Sequence, residues 1–411
     1  MDSVVLLHML LRLAAQNSWR LSALHVHHGI SPRADDWAAF CTGLCTQLNI
    51  PLHIEQVDIT PLRALGIEAA ARKLRHAALV SQAVDFVALA HHQDDQAETL
   101  LLQLLRGAGV KGAAAMPALS HAQPLVIRPL LEVARTELLT YAQQHALRWV
   151  EDESNSDDTY PRNFLRRQVM PILEQRFPSY RTTLARSARH FAEASALLDQ
   201  LARLDARGAV HGDGLEVAHL CALDPLRGKN LLRYFFVCRG AQLPDETCLA
   251  EMLRQLCGAR DDAALRITFG VWELRRYQGR AYALPLLPQA DTGFCMPWNG
   301  ADTLPLPQLG GTLHFAPCIG QGVDRGKIDK STLSVRLRQG AERIRAGAGR
   351  PTRSLSNLLQ EHAMPPWQRE RLPLLFCGDE LVAVPGVAVA SAWQAAPHAA
   401  GVNLAWEVRR G

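Results

Sequence analysis

The sequence predicts an α/β fold: a doubly wound, mostly parallel sheet, followed by a helical middle domain and a small α+β C-terminal domain. Helix-like and strand-like runs alternate through the first 150 residues, the pattern of parallel strands wrapped by crossover helices. The polar clusters able to carry chemistry fall at the carboxyl ends of the predicted strands, where such sheets bind ligands. Further along, the alternation gives way to a pair of helices and a small antiparallel sheet.

In order, Val4 to Ala15 reads as a helix, Leu21 to Val26 as a buried strand ending at His27-His28-Gly29, and Arg33 to Leu48 as a helix. Leu52 to Val57 is a strand, Ile67 to Gln82 a helix and Phe86 to Ala90 a strand. A helix from Gln96 to Arg106 is stopped by Gly107 and Gly109, and another runs from Arg135 to His145. This winding asks for a strand before Val4, and the chain does not contain it. Glu151 to Tyr160 is an acidic loop before the basic run Arg162 to Leu173, and Leu184 to Leu204 has helical spacing. Leu226 to Cys238 and Glu246 to Cys257 are helices; Leu265 to Phe269, Trp272 to Tyr277 and Arg280 to Leu284 form a small antiparallel sheet. The Pro/Gly-rich stretch Leu287 to Gly311 is the expected linker. A third part has strands at Leu333 to Leu337, Leu374 to Phe376 and Leu381 to Val384, and a helix from Ser354 to His362. The expected domains are residues 1–185, 186–288 and 325–405.

With 411 residues and 48% hydrophobic content, each domain can fill a core. No apolar run reaches the roughly 18 residues that a membrane helix needs, so no membrane is expected and the chain is placed in the cytoplasm. Nine cysteines without a Cys-x-x-Cys pair speak against a metal cluster or a disulfide framework. A net charge of +4 is too small to imply nucleic acid, yet Arg325 to Arg353 holds nine Lys/Arg against two Asp/Glu. That local field suits phosphate contact, which supplies affinity with little sequence discrimination; a solvated surface has the same composition.

Asp2 and Ser3 precede an apolar helix, as a simple N-cap would; a helix N-terminus also exposes N–H groups that hold pyrophosphate, with an acid to hold magnesium against it. His91 to Thr99 is more informative. Asp94 and Glu98 stand four apart and Asp95 and Glu98 three apart, so they share one face at the start of a helix. Capping and the helix dipole favour acids there too. Glu68 and Arg72 form either an internal ion pair or part of the site. The acidic loop Asp152 to Asn155 leading into Arg162, Asn163, Arg166 and Arg167 suits a ribose, a phosphate or an amine.

His25-Val26-His27-His28-Gly29, the His91 to Thr99 block with Arg106-Gly107, and Asp152 to Asn155 with Arg162-Asn163 occur in an order and spacing that resemble tRNA(Ile)-lysidine synthetases, in the PP-loop superfamily of ATP pyrophosphatases. Met1-Asp2-Ser3 matches the end of that family's Ser-Gly-Gly-x-Asp-Ser loop; the Ser-Gly-Gly is not in this chain. Glycine lets backbone approach phosphate closely, so the expectation divides between a start assigned too late and a chain impaired in binding ATP.

The resemblance implies an adenine nucleotide alpha hydrolase-like sheet and a ligase that adenylates the wobble cytidine of a CAU-anticodon tRNA(Ile) with ATP, then lets free L-lysine displace AMP. It assigns catalysis to Asp2, Asp95, Glu98 and Arg162, nucleotide contacts to Asp2, Ser3, His27, His28, His91 and Arg106, and magnesium to Asp2, Asp94 and Asp95. Arg166, Arg336, Arg338, Arg343 and Arg345 are expected to meet RNA. A homodimer is compatible with this reading. The alternatives are a catalytically impaired RNA-binding paralogue and another tRNA-modifying ATP pyrophosphatase, such as a thiolation enzyme, although no cysteine pair suited to that chemistry is evident.

Overall fold

The computed structural model describes residues 1–120, 123–151, 153, 157–260, 265–347 and 349–408. They form two compact units, Met1–Gln200 and Leu201–Gly411.

In the first unit the elements follow the predicted alternation: α1 (Asp2–Asn17), β1 (Ala23–His27), α2 (Ala34–Gln47), β2 (Leu52–Gln56), α3 (Ile67–Val80), β3 (Phe86–Ala88) and α4 (Gln93–Leu105). A short helix α5 (Val110–Ala113), strands β4 (Leu119–Ser120) and β5 (Leu125–Ile127), and α6 (Arg135–Gln144) come next. β1 pairs with β2 and β3 with β5, both in parallel, while β4 adds an antiparallel edge to β5. The fold class is therefore the one expected, with a difference of detail. The strands lie in two separate ladders, β1-β2 and β3-β5-β4, so β1 and β3 each have only one hydrogen-bonded neighbour in a described sheet.

α1 packs on α6 through Val5, Leu6, Leu138 and Ala142, all buried. α4 is fixed at both ends of its inner face. Leu100 packs with Ala113 of α5 and Ala188. The Gln96 amide donates to the Met116 carbonyl at 2.8 Å and accepts from the Met116 N–H at 3.0 Å. A side chain that satisfies two backbone groups in this way clips the Gly107–Pro117 loop to the helix without leaving a buried polar group unpaired.

The basic run after the acidic loop is helical, but interrupted: α7 (Pro161–Phe164), a π-helical turn from Leu165 to Val169, and α8 (Met170–Arg176). The long helix α9 (Tyr180–Asp205) follows.

The second unit contains two cores. In the first, β6 (Val210–His211), β7 (Gly214–Glu216), β8 (Arg266–Phe269), β9 (Trp272–Tyr277) and β10 (Arg280–Pro285) form one antiparallel sheet in the order β6-β7-β10-β9-β8. It shares a core with α10 (Val217–Ala222), α11 (Pro225–Cys238) and α12 (Glu246–Gly258) through Leu231, Leu232, Phe236, Met252, Leu256 and Leu274. Burying each of these contributes roughly 1.5–3 kcal/mol. A disulfide joins Cys221 of α10 to Cys257 of α12, a tie that the cysteine spacing did not predict.

The second core begins at Trp298, and the predicted linker is the part of the sequence reading that needs correcting. Leu287 to Gly311 supplies β11 (Cys295–Trp298) and β12 (Thr303–Leu306). Pro297 and Pro305 disguised them. Both strands lie at sheet edges, in the orders β11-β15-β18-β19-β20 and β12-β13-β21-β14, and an edge strand tolerates the missing N–H of proline. The remaining named strands of those sheets are β13 (Gly311–Ile319), β14 (Val323–Asp324), β15 (Leu333–Arg336), β18 (Leu374–Cys377), β19 (Glu380–Val384), β20 (Ala388–Val389) and β21 (Ala400–Val408); between them β16 (Arg343–Ile344) pairs with β17 (Arg353–Ser354).

Candidate active site

The site grows from the N-terminus of α4. His92 is its cap: the Asp95 N–H points at His92 Nδ1 at 3.4 Å, and the Asp95 carboxylate accepts from the His92 N–H at 3.1 Å. This reciprocal arrangement satisfies two otherwise unpaired N–H groups and starts the helix three residues earlier than hydrophobic periodicity predicts. The other ring nitrogen, Nε2, lies 3.4 Å from Asp95 Oδ2 and 3.9 Å from Asp2 Oδ1. The helix start of α1 and that of α4 therefore meet at one buried imidazole. Asp2 Oδ1 is itself buried and has no hydrogen-bond partner among the described residues, an arrangement that suits a ligand with positive charge.

Two arginines close the other side. Arg162 Nε donates to Glu98 Oε2 at 2.7 Å and its Nη2 to Asp95 Oδ1 at 2.9 Å. Arg166 Nε donates to Glu98 Oε1 at 2.6 Å, with its Nη2 3.3 Å from Asp95 Oδ1. Glu98 is only 2% exposed, so its charge is tolerable because both oxygens are paired. The π-helical turn begins between the two arginines, and single π turns recur at functional sites. Burial opposes the charge of Asp95, but His92 and Arg162 outweigh it and hold the carboxyl below its ordinary value. Burial likewise opposes the Arg166 charge, and bonding to Glu98 overcomes it.

His91 faces a different neighbourhood. Burial pushes its pKa down to about 4 against the pull of Asp95, with Arg128, Arg162 and Arg72 adding to the depression. It is neutral at physiological pH, and its Nδ1 accepts from Arg128 Nε at 3.2 Å.

Other predicted residues are placed as follows. Ser3 lies exposed in the first turn of α1. His27, at the end of β1, is 3.0 Å from Asp35 Oδ1. His28 Nδ1 is buried without a partner, and burial lowers its pKa, helped by Arg75. Asp94 has other partners than the expected metal: Arg181 Nε lies 2.7 Å from Oδ1, and the Arg135 N–H donates to Oδ2 at 3.0 Å. Among the described residues no group of three or more His, Cys, Asp or Glu side chains is arranged around a common metal position. Arg106 opens onto a small cleft with Arg72 and Arg162. In the second unit, Arg336 reaches Asp379 and packs over Phe376, and Arg345 donates to the Arg350 carbonyl. Arg338 is half-buried and Arg343 exposed. Asp152, Ser154 and Asn155, and the Glu68 side chain, lie outside the described residues. Sequence reasoning passed over Arg128 and Arg181, and it counted His92 in the His91 to Thr99 block without seeing that it caps the helix.

The cluster lies where a strand end meets a helix start, and the comparisons say which family carries it. Residues 1–173 match a family described as PP-loop domain. Residues 215–282 match the TilS substrate binding domain, and residues 333–406 the TilS substrate C-terminal domain. A tRNA(Ile)-lysidine synthase from Nitrosomonas europaea is 43% identical over 409 residues, 98% of this chain and 89% of the relative. The chain belongs to the tRNA(Ile)-lysidine synthase family. Another tRNA(Ile)-lysidine synthase, from Coxiella burnetii, is 39% identical over 98% of this chain and 90% of its own length. One from Chromobacterium violaceum is 41% identical over 95% and 90%. The PP-loop domain match spans Asp2, His92, Asp95, Glu98, Arg162 and Arg166.

Proposed function

We infer that this chain is a ligase that uses ATP to activate the wobble cytidine of a CAU-anticodon tRNA(Ile) and joins free lysine to it. The carrying observation is the meeting of the α1 and α4 helix starts at His92, with the unpartnered Asp2 oxygen on one side and the Arg162–Glu98–Arg166 clamp on the other.

In this reading the first-turn N–H groups of α1 take nucleotide phosphate. The cytosine C2 oxygen attacks the α-phosphorus of ATP and pyrophosphate departs. The ε-amine of lysine then adds at C2, the C2–O bond breaks, and AMP leaves with that oxygen while the amine gives up its proton. Arg162 and Arg166 steady the negative charge that develops on phosphate in both steps, held rigidly by Glu98 so that little reorganisation accompanies reaction. Asp2 fits magnesium because it offers a buried carboxylate oxygen with no other partner; Asp94 and Asp95 are engaged by cationic side chains and backbone N–H groups. Magnesium commonly binds one or two carboxylates together with substrate phosphates, whose charge it neutralises. Glu98 acts here as a positioning residue for the arginines.

The test is ATP-dependent transfer of labelled lysine to CAU-anticodon tRNA(Ile), with pyrophosphate and AMP release followed in parallel, using this chain and one extended upstream by a strand and Ser-Gly-Gly. Lysine transfer with both products supports the reading. Absence of transfer by both proteins overturns it.

A further inference from the structure

A cleft of about 80 Å³ lies beside the clamp, lined by Arg72 of α3, Thr99 and Gln103 of α4, Arg106 at the end of α4, and Arg162 of α7. Three guanidinium groups thus border one small polar space, larger than the roughly 30 Å³ that one water occupies. Arg162 is answered by Glu98 and Asp95, whereas among the described residues no acid pairs with Arg72 or Arg106. Glu98 and Asp95 give their oxygens to Arg162, Arg166 and the His92 N–H. His91, within reach of the Arg72 and Arg162 charges, accepts from Arg128 and adds no negative charge. Burial lowers the Arg128 pKa, and the like charge of Arg72 lowers it further. Crowded cations around an open polar space are the arrangement expected of an anion site.

We propose that this cleft is a subsite for a phosphate of the RNA backbone beside the target cytidine. The proposal rests on the ligase reading above and names how that substrate is held. Position favours RNA over the nucleotide. Asp95 meets the α1 helix start through His92, whereas Gln103 lies eight residues further along α4, about 12 Å at 1.5 Å per residue. Thr99, at the near end of the cleft, is only about 6 Å from Asp95 along α4, so it is a phosphate at the Gln103 and Arg106 end that stands apart from one held by the α1 N–H groups. Arg162 spans the two places, pairing with Glu98 and Asp95 while lining the cleft. Arg72 and Arg106 are exposed, so a strand passing over the surface can reach them. Contacts of this kind fix the register of the strand and leave base identity to the pocket.

The experiment uses Arg72→Gln, Arg106→Gln and the double variant in the full chain, with melting temperature as the check on folding. Filter binding of tRNA(Ile) and of an unrelated tRNA is measured across a salt series; ATP affinity without tRNA and the KM for lysine are measured separately. Each single variant weakens both tRNAs alike, by roughly 5- to 10-fold, and lowers the salt slope by about 0.7–1. ATP affinity and lysine KM stay at the wild-type value, which moves Arg106 from the nucleotide contact that the resemblance implies to an RNA contact. A loss of ATP affinity at unchanged salt slope assigns the cleft to nucleotide phosphate and overturns the proposal. A raised lysine KM alone assigns it to a carboxylate and does the same, as does wild-type behaviour in every readout. Arg106→Lys, which keeps the charge, restores most of the affinity if Gln fails by unfolding; no restoration in a folded Lys variant also counts against a phosphate contact. Failure of the wild-type chain to bind either tRNA defeats the ligase reading itself, whatever the variants do.

Discussion

Arg162 and Glu98, 64 residues apart in sequence, meet at 2.7 Å, and the same carboxylate takes Arg166 Nε at 2.6 Å on its other oxygen. One buried acid thus fixes two cations. Glu98→Ala leaves both without that partner, and removing one partner of a buried pair costs about 3 kcal/mol. The expected result is a lowered melting temperature together with lost turnover. A variant that loses activity at full thermal stability contradicts the positioning role and favours direct contact with substrate.

Arg166→Lys tests geometry separately from charge. The guanidinium uses Nε and Nη2 on two carboxylates, a fork that an ammonium group cannot copy. We expect kcat to fall by more than about tenfold with the fold intact. Turnover equal to wild type shows that charge alone suffices.

Asp2→Asn removes the carboxylate whose Oδ1 is buried and unpartnered. ATP affinity should fall and lose its magnesium dependence, while tRNA binding remains. Equilibrium dialysis with and without magnesium decides this; unchanged magnesium dependence sends the ion elsewhere.

His91 makes stability depend on pH. Its folded pKa is lowered to about 4, against roughly 6.5 when unfolded, so between those values the unfolded chain binds the additional proton. Stability therefore falls as pH drops from about 6.5 towards 4, by at most about 3 kcal/mol. Asp95, with its pKa lowered, loses its contribution only below roughly pH 4. Melting curves of wild type and His91→Asn should converge in pH dependence across the upper window if another group is responsible, and diverge if His91 is.

The Cys221–Cys257 disulfide closes 36 residues, a loop for which chain entropy gives about 3–4 kcal/mol of stabilisation. Reductant should lower the melting temperature of wild type and leave Cys221→Ser unaffected. Free thiol at both positions in the purified protein, with no effect of reductant, removes this tie.

Much of the fold is legible in the sequence because alternating apolar runs and glycine stops act locally. The helices α1 to α4, α6, α11 and α12 lie within a few residues of their predicted bounds, and the β8-β9-β10 meander is where alternation put it. Failures came where tertiary context overrides local preference: edge positions made Pro297 and Pro305 compatible with strands, and a capping imidazole moved the start of α4.

The sequence by itself determined which side chains are available near strand ends, since a residue's place relative to a strand or helix start follows from periodicity and capping. It also carried the order and spacing of blocks that mark the family. Only the tertiary structure decided partners. It gave both Glu98 oxygens to arginines more than sixty residues away, gave Asp94 to Arg181 and the Arg135 N–H, and left an Asp2 oxygen open. The physical reason is that a charge in a buried place takes the counter-charge that packing brings within about 3 Å, and no local pattern records which distant residue that will be.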